Sequence, residues 1–267
     1  MAESPLAVFE DPSRHRTVSQ IIRQYSTNPT DVREAVLAGL DVSSARRVLD
    51  LGCGFGFMTE AVARRVAADA EIIGLDACAT NGPPFLQHVT AAGRRGRFVC
   101  QRVERRLDWP DGHFDLVMAS YSLYFFPEAV AEVARVLSPA GLFVAVTHTE
   151  SSCRDLLRVA GLPLSDDRLL GNVQHFSAEN GLRLLQPHFS AIERVDYGNR
   201  LVFEADALDD FLTYLRFKLP LILPATEPGD EVPKPMSEAI RRALADRPRI
   251  VFEKNDAAFR CRGPRCR

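Results

Sequence analysis

The stretch "VLDLGCGFGFMTE", residues 48–60, sets Gly52, Gly54 and Gly56 between an apolar run and an amphipathic one. A strand-to-helix turn that lies against a ligand needs glycine for two reasons: some of its backbone angles have positive φ, and a Cβ would hold the ligand away. The spacing Gly-x-Gly-x-Gly departs from the GxGxxG of a dinucleotide-binding turn, whose third glycine would fall where Phe57 stands. No Gly-Lys-Ser/Thr follows, so the loop is not a P-loop either. It reads as a cradle for a nucleoside without phosphates, with an ordinary tight turn as the alternative.

Asp76, at the end of "IIGLD", supports the cradle. An acidic residue at the tip of the second strand can accept hydrogen bonds from both hydroxyls of a ribose, and its charge repels a 2′-phosphate.

Outward from these two features, the runs 45–52, 70–76, 97–103, 114–120 and 141–148 are short and β-rich, with helix-like stretches between them. Met58, Val62 and Val66 recur at four-residue steps after the first strand. Val130, Val133 and Leu137 form a second apolar stripe in "PEAVAEVARVLSPAG". Alternation of this kind predicts an α/β fold: a Rossmann-like, open, mostly parallel seven-stranded sheet with helices on both faces, plus helical lid segments. Ligands then bind beyond the C-terminal ends of the strands. The expected organisation is an N-terminal helical lid over 1–40, a core over 41–150, and a region over 151–267 that completes the sheet and covers the site through 151–186 and 205–247. "AIERVDYGNRLVFE" (191–204) reads as one long strand, and "RIVFEKNDAAFRCR" (249–262) as a closing strand or strand pair.

"VLDLGCGFG", "IIGLD", "LDWPDGHFDLVMASYSLYFFP" and "VARVLSPAGLFVAVTH" occur in this order. Together they resemble class I S-adenosylmethionine-dependent methyltransferases, of the small-molecule branch that includes ubiquinone-biosynthesis-like enzymes. The resemblance covers roughly residues 45–150. It implies S-adenosyl-L-methionine as cofactor, S-adenosyl-L-homocysteine as product, and direct in-line methyl transfer to O, N, C or S of a small acceptor. It also implies that Asp50, Gly52, Cys53, Gly54 and Gly56 surround the methionine part, that Asp76 holds the ribose, and that Ala77 lies beside the adenine. Val103 stands where relatives place an adenine-contacting Asp, and the adjacent Glu104 is the expected substitute. Ser120 and Tyr121 follow the fourth strand, at the methyl-transfer site, and Phe125 replaces a histidine found in many relatives. Similar enzymes place an aromatic residue from an N-terminal segment over the cofactor, a role that falls to Tyr25. Where the acceptor needs deprotonation, Tyr121 and His148 are the candidate catalytic residues. A cofactor-binding protein without turnover and an aminopropyl-type transferase are the rival readings.

Composition bounds the partners. The 267 residues carry 33 Lys and Arg against 35 Asp and Glu, a balance that gives no general attraction to nucleic acid or anionic membrane. No apolar run reaches the ~20 residues of a membrane span, so a cytoplasmic protein is expected. The expected partners are a small-molecule acceptor and a second copy of the chain, as a homodimer. Cys261 and Cys266 are half a metal site at best, and no metal is expected.

Overall fold

The computed structural model describes residues 5–161, 167–222, 238, 240–241 and 249–265. Its strands are β1 (Arg47–Leu51), β2 (Glu71–Asp76), β3 (Arg95–Cys100), β4 (Phe114–Ser120), β5 (Leu137–His148), β6 (Phe189–Tyr197), β7 (Arg200–Glu204), β8 (Arg249–Glu253) and β9 (Asp256–Pro264). Seven form one sheet in the order β3-β2-β1-β4-β5-β9-β6, and β7 pairs with β8 in a second, two-stranded sheet. The large sheet is parallel except for β9, which runs antiparallel to both neighbours. This is the Rossmann-like α/β architecture expected from the sequence.

β1 is central because its residues suit burial on both sides. Val48, Leu49 and Leu51 are wholly enclosed. Side chains alternate across the pleat, so Val48 joins one core and Leu49 and Leu51 the other. The first core is covered by α2 (Val32–Leu37), α3 (Phe57–Ala63) and α4 (Gly82–Ala91). The second is covered by α5 (Val130–Val136) and α7 (Gly181–Leu185). A third hydrophobic core lies outside the sheet. It is built from α1 (Pro12–Tyr25), α6 (Glu150–Val159), α8 (Leu208–Ile222) and the β7–β8 pair, with residues 170 and 173 between them. It forms a cap above the C-terminal ends of the strands.

The run 191–204 is two strands, not one. β6 pairs with β9 up to Tyr197↔Asp256, and β7 pairs with β8 from Arg200↔Glu253. The two strands therefore form one antiparallel ribbon that bends out of the main sheet at Gly198–Asn199 and Lys254–Asn255. Side chains fix the bend. The Asn199 N–H donates to Asn255 Oδ1 at 2.9 Å, and Asn199 Nδ2 donates to Ser26 Oγ at 2.9 Å. The bend carries the ribbon from core to cap and sets Lys254 and Asp256 beside the cavity described below. β5 also starts earlier than expected, at Leu137, because a register shift between Phe114 and Leu116 lets Leu137 pair with Phe114.

Candidate active site

The order of strands reverses between β1 and β4, and a cavity of about 1070 Å³ opens there, beyond the strand ends. The glycine loop forms its floor. Gly52, Gly54 and Gly56 all have positive φ, at 65°, 51° and 91°. Their duties differ. A Cβ on Gly52 would lie 2.5 Å from Ser122 Cβ, so this glycine lets the loop pack on the segment after β4. A Cβ on Gly56 would lie 3.3 Å from Phe85 Cα, and Gly56 does not border the cavity. It serves the turn into α3, not ligand contact as the resemblance implies. At Gly54 a Cβ would meet only the His15 ring, at 3.4 Å or more, so Gly54 is the glycine that keeps the floor bare.

Asp76 ties the loop down. Its Oδ2 accepts from Gly54 N–H at 2.8 Å, and its Oδ1 accepts from Cys78 N–H at 2.8 Å and Asn81 Nδ2 at 3.1 Å. A carboxylate offers about four lone-pair sites. Three are filled by the protein, which leaves one for a ligand hydroxyl rather than the two expected.

Asp50 is fully buried. Thr59 Oγ1 donates to its Oδ2, while its Oδ1 has no partner. Burial raises its pKa to about 7, Thr59 opposes the rise, and the Asp76 charge adds to it. A buried acceptor without a partner costs stability, and this one borders the cavity. Ser120 Oγ, on the same wall, is likewise buried and unpartnered.

Other expected residues divide. Cys53, Ala77 and Val103 border the cavity. Glu104 is exposed and does not; β3 ends at Cys100, and the chain beyond sets half-buried Val103 and exposed Arg102 at the cavity's edge instead. Tyr25 also lies elsewhere. It shares a helix face with Ile21, stacks on Phe203 at 4.2 Å in the cap, and donates its hydroxyl hydrogen to Asp210 Oδ2 at 2.7 Å. The neighbouring stripe His15, Ser19, Ile22 and Ser26 faces the cavity. His15 stacks on Phe217 of α8 and meets Phe55 of the glycine loop edge-on, so α1 and α8 roof the floor through one imidazole.

Tyr121 and His148 do reach the cavity, as members of a buried cluster that sequence reasoning missed. Tyr121, at φ 55°, stacks on His148 with ring centres 4.7 Å apart. Its hydroxyl donates to Asp256 Oδ2 at 3.0 Å. His148 Nδ1 lies 2.7 Å from Asp256 Oδ1, Lys254 Nζ donates to both Asp256 oxygens, and Lys218 Nζ lies 3.3 Å from His148 Nε2. Burial, reinforced by the two lysines, pulls the His148 pKa down to about 3 despite Asp256. His148 is therefore neutral, with its Nδ1–H assigned by the network to Asp256 and its Nε2 accepting from Lys218. Burial and then Asp256 hold the Tyr121 hydroxyl well above its usual range. The network thus occupies the Tyr121 hydroxyl and both ring nitrogens of His148. Lys218 interrupts the apolar run "FKLPLILP", and that lysine, four residues after Tyr214 on the buried stripe of α8, was the available signal.

Among the described residues no group of three or more His, Cys, Asp or Glu is placed to hold a metal, and no helix is long and apolar enough to cross a membrane. Cys261 is buried with a free thiol, and Cys266 lies outside the described residues.

Residues 48–141 match the family described as "Methyltransferase domain". A demethylmenaquinone methyltransferase from Lactiplantibacillus plantarum is 34% identical over 122 residues, covering 44% of this chain and 52% of that protein. A malonyl-[acyl-carrier protein] O-methyltransferase from Halorhodospira halophila is 34% identical over 117 residues, 42% of this chain and 38% of that protein. The chain thus spans about half or less of the curated relatives it matches. A putative methyltransferase from Bacillus halodurans C-125 superposes with a TM-score of 0.57 at 14% identity, over 88% of this chain and 99% of that one, and shares the fold. Fold, glycine loop and domain match together define the class: the core is a Rossmann-like methyltransferase domain. Over that segment the chain is similar to methyltransferases, the two relatives above among them.

Proposed function

We propose that the protein binds S-adenosylmethionine between the glycine loop, Asp76 and Val103, and transfers its methyl group to a small acceptor lodged under the cap. The observation that carries this reading is the pairing of a bare floor at Gly54 with an orphaned carboxylate oxygen on Asp50. A buried acceptor oxygen on a cavity wall suits a cationic donor such as an amino acid ammonium, and S-adenosylmethionine carries one. Asp76, with one open lone-pair site, suits a ribose hydroxyl; Ala77 and Val103 suit the flat, apolar faces of a purine.

When bound, the sulfonium supplies both the methyl group and its leaving group. The protein's work is then alignment and exclusion of water. Asp50 and Asp76 fix the two ends of the cofactor, the glycine loop permits their close approach, and His15, Phe55 and Phe217 close the roof. Ser120 and Tyr121, at the tip of β4, border the same cavity as Lys218 and Lys254.

The experiment is incubation with isotope-labelled S-adenosylmethionine and a panel of phenols, carboxylic acids, enols and amines, with mass spectrometry of the products. Labelled methyl on any acceptor, with S-adenosylhomocysteine formed in equal amount, supports the reading. Tight cofactor binding without transfer to any member would favour a binding protein instead.

A further inference from the structure

The cavity wall around Tyr121 and His148 carries unbalanced charge. Asp256 is saturated: it accepts from His148 Nδ1–H, from the Tyr121 hydroxyl, and from Lys254 Nζ through both oxygens. Asp256 and Lys254 therefore neutralise each other. Lys218 is different. It is 9% exposed and borders the cavity, and its nearest polar partner is the neutral His148 Nε2 at 3.3 Å. Among the described residues no carboxylate lies within ion-pair distance of its Nζ. Burying an ammonium without a counter-ion costs several kcal/mol, and a fold that carries such a cost beside a cavity has a place for an anion.

Resting on the methyl-transfer reading above, we infer that Lys218 holds the acceptor, and that the acceptor presents an anionic oxygen, as a carboxylate, phenolate or enolate. The surroundings fit. Tyr124, Phe125 and Phe217 give the cavity flat apolar walls for the body of such a molecule. His148, locked by Asp256, offers no competing positive charge, and Tyr121 is held by Asp256 as a hydrogen-bond donor with no charge of its own. An amine acceptor would meet an ammonium; an oxyanion would complete an ion pair that the protein leaves open.

The groups facing Lys218 agree on the direction of its titration. Burial first, and then Lys254 on the ribbon, pull its pKa down to about 8, while Asp256 and Cys153 of α6 oppose the fall. His148 of β5 and His15 of α1 sit beside it with pKa values near 3, hence neutral. An arriving anion opposes that fall and favours the charged form of Lys218.

The test uses the full chain saturated with S-adenosylhomocysteine and four probes: benzoate, benzamide, benzylamine and 4-nitrophenol. In the wild type, benzoate should bind about tenfold or more tighter than benzamide and benzylamine, the size of one charge-assisted hydrogen bond. Bound 4-nitrophenol should show phenolate absorbance at a pH about one unit below that of the free probe. Lys218→Met should abolish both effects while leaving the thermal midpoint unchanged or raised, and Lys218→Arg should keep the preference for benzoate. Equal binding of benzoate and benzamide by the wild type overturns the inference without any variant, and so does a preference that survives Lys218→Met. Failure of the wild type to bind S-adenosylhomocysteine would overturn the methyl-transfer reading and this inference with it; cofactor binding without anion preference would overturn the inference alone.

Discussion

Replacing Asp76 by Asn exchanges one oxygen for an amide nitrogen at the point where floor and cofactor meet. The amide oxygen can keep the Cys78 N–H and Asn81 Nδ2 bonds, at 2.8 and 3.1 Å, but the amide nitrogen then faces the Gly54 N–H, donor against donor. One charge-assisted bond is lost, about 1.5–3 kcal/mol, and a buried N–H is left without an acceptor. We expect stability to fall by about 2 kcal/mol, roughly 4–8 °C in thermal midpoint for a chain of this size. Binding should suffer as well, because the freed loop no longer holds Gly54 flat and the open lone-pair site facing the ribose is gone. The affinity for S-adenosylhomocysteine should drop about tenfold to a hundredfold, one charged hydrogen bond plus the cost of reordering the loop. Urea titration and calorimetry on the same preparation measure both. A variant within about 0.5 kcal/mol of the parent that binds the nucleoside equally well would refute the reasoning, since neither the loop nor the sugar would then depend on this carboxylate.

Asp50 makes cofactor binding depend on pH. Its pKa stands near 7 before binding, and an ammonium at Oδ1 favours the ionised form, so a proton leaves as the cofactor enters; affinity should rise from pH 6 to pH 8 by about tenfold, and Asp50→Asn should flatten the profile. Gly52→Ala combines a left-handed φ of 65° with a Cβ 2.5 Å from Ser122 Cβ, a loss of about 2–4 kcal/mol; adding Ser122→Gly should return part of it, and strictly additive unfolding energies would contradict the packing role. Tyr25→Phe removes the bond to Asp210 in the cap and the exposed one accepted from Gln24, so stability should fall by about 1 kcal/mol while S-adenosylhomocysteine affinity stays level; a tenfold loss of affinity would return Tyr25 to the cofactor site.

What was legible in the sequence follows the range of the interactions. The floor of the site is local: an apolar strand, glycines at positive φ and an acid at the tip of the next strand lie within residues 48–76, and their spacing alone rules out phosphate-binding turns. Tyr25 failed for a subtler reason. The amphipathic period of α1 was visible, but two adjacent stripes of that helix are partly apolar, and only the position of Phe203 in the cap decides which one faces the cavity. The bend at Gly198–Asn199 was hidden because residues 191–204 keep a strand-like composition throughout; the side chains that make the turn, Asn199 and Asn255, are 56 residues apart. The lysine cluster depends on that bend. Asp256 meets Tyr121 across 135 residues and His148 across 108, so its chemistry exists only once the ribbon has left the sheet.

The most direct measurement is a crystal structure of the protein grown with S-adenosylhomocysteine. Electron density for the nucleoside should run from Asp76 and Val103 across the bare backbone at Gly54, with the amino acid nitrogen against Asp50 Oδ1. A ligand seated anywhere else, or a glycine floor left empty at saturating concentration, would contradict the assignment of this cavity to the methyl donor.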